Sequence, residues 1–126
     1  MILRTGIDIV EISRLDKIQP AIKERFLKRV YTPTELAQAG HTSASLAGRF
    51  AAKEAVSKAL GCGIGMVRWQ DIEIQRGQDG EPVLVLYGKA QQIAERLGLM
   101  IWSVSISHNQ TQAVAMAVAL SKDLQK

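Results

Sequence analysis

The run Ala113-Val114-Ala115-Met116-Ala117-Val118-Ala119-Leu120 constrains the fold more tightly than any other segment of the chain. Read as a strand, it places Val114, Met116, Val118 and Leu120 on one face and four alanines on the other. Neither face is polar, so both need cover. One can meet the helices of its own domain. In a chain of 126 residues the other is free to meet another subunit. A continuous Ala/Met/Leu run is also compatible with a helix.

The remaining pattern alternates strands with helices. Ile2–Glu11 reads as a strand rich in Ile and Val, with Asp8 set among them. Ser13 or Asp16 is a candidate cap for the helical stretch that follows. Pro20 stands where a helix favours its first residue, opening Ala21–Val30. There Ile22, Phe26 and Val30 form an apolar stripe, and Lys23, Arg25, Lys28 and Arg29 cover the rest with positive charge. Thr32-Pro33-Thr34-Glu35 is a capped start to a short helix. The longest helix opens at Thr42 or Ser43 and runs to Leu60, stopped by Gly61 in a left-handed conformation. Gly61, Gly63 and Gly65 make a pliable loop.

Strands are expected at Trp69–Arg76 and Pro82–Tyr87, joined by Gly77-Gln78-Asp79-Gly80, then a helix over Lys89–Leu97 ended by Gly98. A last hairpin pairs Ile101–His108 with Gln112–Leu120. No repeat or linker interrupts the pattern. The expectation is one α+β domain over residues 1–126, a small antiparallel sheet packed by helices.

A hydrophobic fraction of 47% with mean hydropathy +0.02 supports a core and argues against disorder. No apolar run approaches the roughly 20 residues of a membrane span, so no membrane role is expected. Cys62 is the only cysteine, and no secretory signal is visible, which together fit a reducing cytoplasm. The net charge of +4 favours acidic partners without choosing among them.

Three charged positions stand out from their surroundings. Asp8 shares a strand face with Gly6 and Val10, where a carboxylate is costly unless a cation or hydrogen bonds compensate. Glu54 and Lys58 lie on the edge of the long helix's apolar stripe of Leu46, Phe50 and Leu60, among Ala47, Ala51 and Ala55. Their spacing suits an ordinary ion pair along a helix. That pair does not explain why both charges crowd apolar positions, and both readings stand. The glycine loop follows a helix and faces its negative end, so a phosphate there would need cations from elsewhere. His108 breaks the face of Trp102, Val104 and Ile106 with a polar ring. A lone cysteine with His41 and His108 lacks zinc spacing, and no nucleophile-elbow motif is present.

Four blocks, taken together, resemble the holo-acyl-carrier-protein synthase family of phosphopantetheinyl transferases. They are Gly6-Ile7-Asp8-Ile9-Val10-Glu11-Ile12 with Arg14; Arg29-Val30-Tyr31-Thr32-Pro33-Thr34-Glu35-Leu36; Leu46 through Ala55 continuing to Lys58-Ala59-Leu60-Gly61; and Val104-Ser105-Ile106-Ser107-His108. They occur in the family's order and span nearly the whole chain. Cys62 replaces the family's usual threonine between glycines, Ser103 stands where a histidine often precedes the last block, and Ala39–Ser45 is short.

The resemblance implies the phosphopantetheinyl transferase fold, a homotrimer with sites at subunit interfaces, and transfer of 4′-phosphopantetheine from coenzyme A to a carrier-protein serine for fatty acid biosynthesis. Asp8 and Glu54 would be ligands to Mg2+, whose preference for hard oxygens accounts for both carboxylates. Glu54, Lys58 and His108 would form the catalytic set. Arg49, Lys53, Lys58, Gly61, Gly63, Gly65 and His108 would contact coenzyme A. Glu54, or a water held by the metal or by Glu35, would accept the serine proton. The acidic acyl carrier protein would dock on Arg14, Arg25, Phe26 and Arg29, with Lys17 and Lys28 nearby. A nucleic-acid module is disfavoured, because acidic residues interrupt the basic helices and no stacking series of aromatics appears. A catalytically silent coenzyme A scaffold is disfavoured by the intact Asp8, Glu54 and Lys58.

Overall fold

The computed structural model describes residues 1–40 and 42–122; His41 lies outside the described residues. The elements in chain order are β1 (Leu3–Glu11), α1 (Ser13–Asp16), α2 (Pro20–Val30), α3 (Pro33–Ala39), α4 (Ser43–Leu60), β2 (Ile72–Arg76), β3 (Pro82–Leu86), α5 (Gly88–Leu97), β4 (Leu99–His108) and β5 (Gln112–Ser121). The α+β expectation holds. β1, β5 and β4 form an antiparallel sheet with β5 at its centre, and β2 pairs with β3 in a separate hairpin.

The apolar run Ala113–Leu120 is strand, not helix. Its alanine face, residues 113, 115, 117 and 119, is buried against α4, whose own Ala47, Ala51, Ala55 and Ala59 are wholly buried. Small side chains on both partners let helix and sheet approach closely. Gly6 marks the tightest point: a Cβ there would overlap the backbone carbonyl of Ala55. The opposite sheet face carries Leu3, Ile7 and Ile9 from β1 and Met116 from β5, exposed at 64%, 59%, 58% and 45%. Within one chain this second face has no cover.

The second layer is joined to the first by an unusual seam. The free edge of β2 is bonded by side chains rather than by another strand. Lys53 Nζ donates to the Ile72 carbonyl (2.6 Å), Arg49 Nε donates to the Ile74 carbonyl (3.1 Å), Glu35 Oε2 accepts from the Ile74 amide (2.8 Å) and Gln38 Oε1 accepts from the Arg76 amide (2.7 Å). Those four side chains complete the hydrogen bonds a neighbouring strand would otherwise supply.

Local signals were mostly reliable. Thr32 and Glu35 form the expected capping box, and Gly61 ends α4 with φ +77°. Neither Ser13 nor Asp16 caps α2. Ser13 begins α1, and Asp16 instead accepts from the Ser43 hydroxyl at the start of α4, tying two helices together (2.5 Å). The strand expected from Trp69 starts only at Ile72. Trp69–Asp71 form a 3-10 turn, closed by the Asp71 amide on the Arg68 carbonyl (3.0 Å) and by Asp71 Oδ2 accepting from the Arg68 amide (3.2 Å).

Candidate active site

Strand alternation turns Asp8 toward α4, on the same face as Gly6 and Val10. The close approach at Gly6 and Ala55 brings Asp8 alongside Glu54 and Lys58, one turn apart on the helix. Lys58 Nζ lies 3.3 Å from Asp8 Oδ1 and donates to the Ile7 carbonyl at 2.8 Å. The ion pair along α4 suggested by sequence spacing is therefore not formed; Lys58 reaches across to the strand.

Glu54 makes no ion pair or side-chain hydrogen bond with any described residue. Burial pushes its carboxyl pKa up, the Asp8 charge pushes it further, and Lys58 offsets this only in part. Two converging carboxylates with one shared lysine leave excess negative charge. That donor set suits a hard divalent cation that keeps most of its coordination sphere for water and phosphate. Among the described residues no cluster of three or more His, Cys, Asp or Glu could form a complete protein cage.

The other residues expected at the cofactor are placed elsewhere. Lys53 is fully buried, 2.7 Å from Glu35 Oε1, with further bonds to the Trp69 and Ile72 carbonyls. It cannot touch a ligand, and its expected role as a coenzyme A contact gives way to a structural one. Burial lowers the Lys53 pKa, with Glu35 opposing that shift. Glu35 is equally sealed, which removes it as a holder of a catalytic water. Arg49 is also committed to the scaffold, bonding Ile74, Ser45 and Gln38, although it borders a cavity with His108.

His108 ends β4, opposite Ala113 of β5, while Asp8 pairs with Ala115 from the other side of β5. The two residues thus stand on strands about 10 Å apart, with β5 between them. One chain does not bring His108 into the Asp8 cluster. In the glycine loop, Gly61 packs under the Arg4 guanidinium and Gly65 has φ +116°, whereas Gly63 is exposed with open space around it.

All four expected docking residues converge. Arg14, Arg25, Phe26 and Arg29 line a groove of about 670 Å3 whose apolar floor includes Leu15, Ile18 and Phe50. Phe26 stacks on Phe50 with ring centroids 6.3 Å apart, so it is both packed and a groove wall. Val10, two residues past Asp8, and Phe50, one helical turn before Glu54, also line this groove. The groove therefore abuts the carboxylate cluster. Sequence reasoning missed the groove's Ile22, although its place one turn from Phe26 was a usable signal, and missed Arg76 at the rim of the His108 cavity.

This fold has known counterparts. Residues 4–119 match the model of the 4′-phosphopantetheinyl transferase superfamily. A holo-[acyl-carrier-protein] synthase of Moorella thermoacetica is 52% identical, covering 94% of each chain. That of Natranaerobius thermophilus is 44% identical over 96% of this chain and 99% of its own. The crystal structure of Helicobacter pylori holo-[acyl-carrier-protein] synthase in complex with coenzyme A superposes with a TM-score of 0.83 at 36% identity, covering 92% of this chain and 99% of that one. The chain belongs to the 4′-phosphopantetheinyl transferase superfamily.

Proposed function

We propose that the chain transfers 4′-phosphopantetheine from coenzyme A to a serine of an apo-acyl carrier protein, releasing adenosine 3′,5′-bisphosphate, in support of fatty acid biosynthesis. The observation that carries this reading is the junction at Val10 and Phe50, where a basic-rimmed apolar groove meets the Asp8, Glu54 and Lys58 cluster. An acidic helical protein seated on Arg14, Arg25 and Arg29, with an apolar side chain beside Phe26, delivers its serine to that junction.

Asp8 and Glu54 fit as the residues that hold magnesium, which when bound neutralises and orients the coenzyme A diphosphate for in-line displacement. Lys58 places a positive charge beside the same phosphates. With Glu35 sealed in the interior, the proton of the incoming hydroxyl would pass to the Glu54 carboxylate or to a water held by the metal. The serine oxygen bonds to the β-phosphorus as the bond to the leaving bisphosphate breaks.

The separation of His108 and Arg49 from Asp8 supports a site shared between subunits. The uncovered face of Leu3, Ile7, Ile9 and Met116 is the surface on which a homotrimer forms. In that assembly one subunit contributes Asp8, Glu54 and Lys58, and its neighbour contributes the cavity beside His108. Among the described residues no helix is long and apolar enough to cross a membrane, and the reading places the enzyme in the cytoplasm with its carrier protein.

Intact-mass spectrometry of an apo-carrier protein incubated with the chain, coenzyme A and magnesium tests the proposal. A gain of one phosphopantetheine that EDTA prevents is expected. An unmodified carrier under these conditions would end it.

A further inference from the structure

Helix α2 carries Arg25, Phe26 and Arg29 of the docking groove, yet little of it is fastened to the rest of the chain. Of its eleven residues only Val30, the last, is buried. Its first turns are largely exposed, so its direction is decided at its C-terminal end. No glycine closes that end. The backbone turns extended at Tyr31, and the Thr32 amide, which a longer helix would direct to the Lys28 carbonyl, donates to Glu35 Oε1 instead (2.9 Å). Carbonyls of the last turn are left needing donors from elsewhere.

Gln70 supplies them. Its side-chain amide nitrogen donates to the Lys28 carbonyl and to the Tyr31 carbonyl, the second at 2.9 Å. That nitrogen has two N–H groups, so it can serve both carbonyls at once. Gln70 is itself held still. It sits in the 3-10 turn Trp69–Asp71, where the Trp69 carbonyl and the Ile72 carbonyl on either side of it both accept from Lys53 Nζ (3.1 and 2.6 Å). Lys53 is sealed in the interior against Glu35 (2.7 Å). The Trp69 ring lies 4.7 Å from that of Phe50, centroid to centroid, and Phe50 stacks in turn on Phe26 of α2. One short turn thus grips α2 twice, by hydrogen bonds at its end and by aromatic packing near its middle. Both grips lead back to α4, which also carries Glu54.

We propose that Gln70 is a positioning residue for carrier docking. It fixes the angle of α2, and so the distance of Arg25, Phe26 and Arg29 from the Asp8 and Glu54 cluster where the carrier's serine must arrive. The inference rests on the transferase reading above, since that reading supplies the carrier. Arg14 provides an internal control. It belongs to α1, which Asp16 ties to Ser43 at the start of α4 (2.5 Å), so its placement does not depend on Gln70.

Gln70→Met keeps the length of the side chain and removes its donors. Hydrogen–deuterium exchange of the free full chain should be faster over the α2 amides of the variant, with β1, α4 and β5 unchanged. Calorimetric titration with an apo-acyl carrier protein should show affinity lowered by at least about fivefold, the scale of a single net hydrogen bond. Affinity for coenzyme A should stay at the wild-type value. Combined with Arg29→Ala, the loss should be smaller than the product of the two single effects; combined with Arg14→Ala, it should equal that product. The proposal is overturned if α2 exchanges at the wild-type rate, since any loss of affinity would then come from direct contact between Gln70 and the carrier. It is equally overturned if carrier affinity is unchanged, if coenzyme A affinity falls with it, or if both arginines couple alike. Carrier modification with an affinity indifferent to Gln70 would sink the role of Gln70 alone. Carrier binding that depends on Gln70 without any modification would sink the transferase reading alone.

Discussion

Glu54 is held where its charge is unwelcome. Burial and Asp8 both favour its protonated form, so the folded chain keeps that proton to higher pH than an unfolded one. At neutral pH the ionised Glu54 therefore opposes folding, and this opposition fades as pH falls through the raised folded-state pKa. Glu54→Gln should leave the thermal midpoint at pH 7 unchanged or higher. Carrier modification should fall by more than the roughly 10–100-fold that losing a supporting partner of a metal site costs. Melting curves and mass-spectrometric rates check the two halves. Asp8, Glu54 and Lys58 were legible in the sequence because each contradicts its apolar neighbourhood. The true partner of Lys58 was not, because spacing along a helix says nothing about a strand lying across it.

Helix α4 is where legibility ran out. Periodicity identifies a helical face but not what covers it, and α4 is covered on several sides at once. Lys53 therefore looked like a ligand contact when it is sealed against the edge of β2, whereas Arg49 bonds the same edge and still borders the His108 cavity. Lys53→Met should leave Glu35 as an unpaired buried charge and cost about 3–5 kcal/mol, read from denaturant unfolding. Replacing both partners by apolar residues should recover much of that loss. The strand–helix contact at Gly6 gives a second expectation. Gly6→Ala must push β1 away from Ala55, at about 1–3 kcal/mol of overpacking. Because the same contact sets Asp8 beside Glu54, activity should fall even under conditions where the variant is fully folded.

For the whole molecule, the doubly apolar β5 has its alanine face covered by α4, while its other face lies open in a single chain. Ile7 and Met116 sit opposite each other in adjacent strands on the uncovered face. The double change Ile7→Lys and Met116→Lys should convert the proposed trimer to monomer in analytical ultracentrifugation, with circular dichroism unchanged. Transfer should be lost although Asp8, Glu54 and Lys58 are untouched. A trimer that persisted in this variant would place the interface elsewhere.

The side-chain seam along β2 has a further consequence for how copies of the chain meet. An open strand edge recruits other strands with little selectivity, and this is a common route into insoluble aggregates. Here Glu35, Gln38, Arg49 and Lys53 occupy the edge groups of β2 that a foreign strand would seek. In the proposed trimer, self-association is thereby left to the sheet's apolar face, where it stops at three subunits.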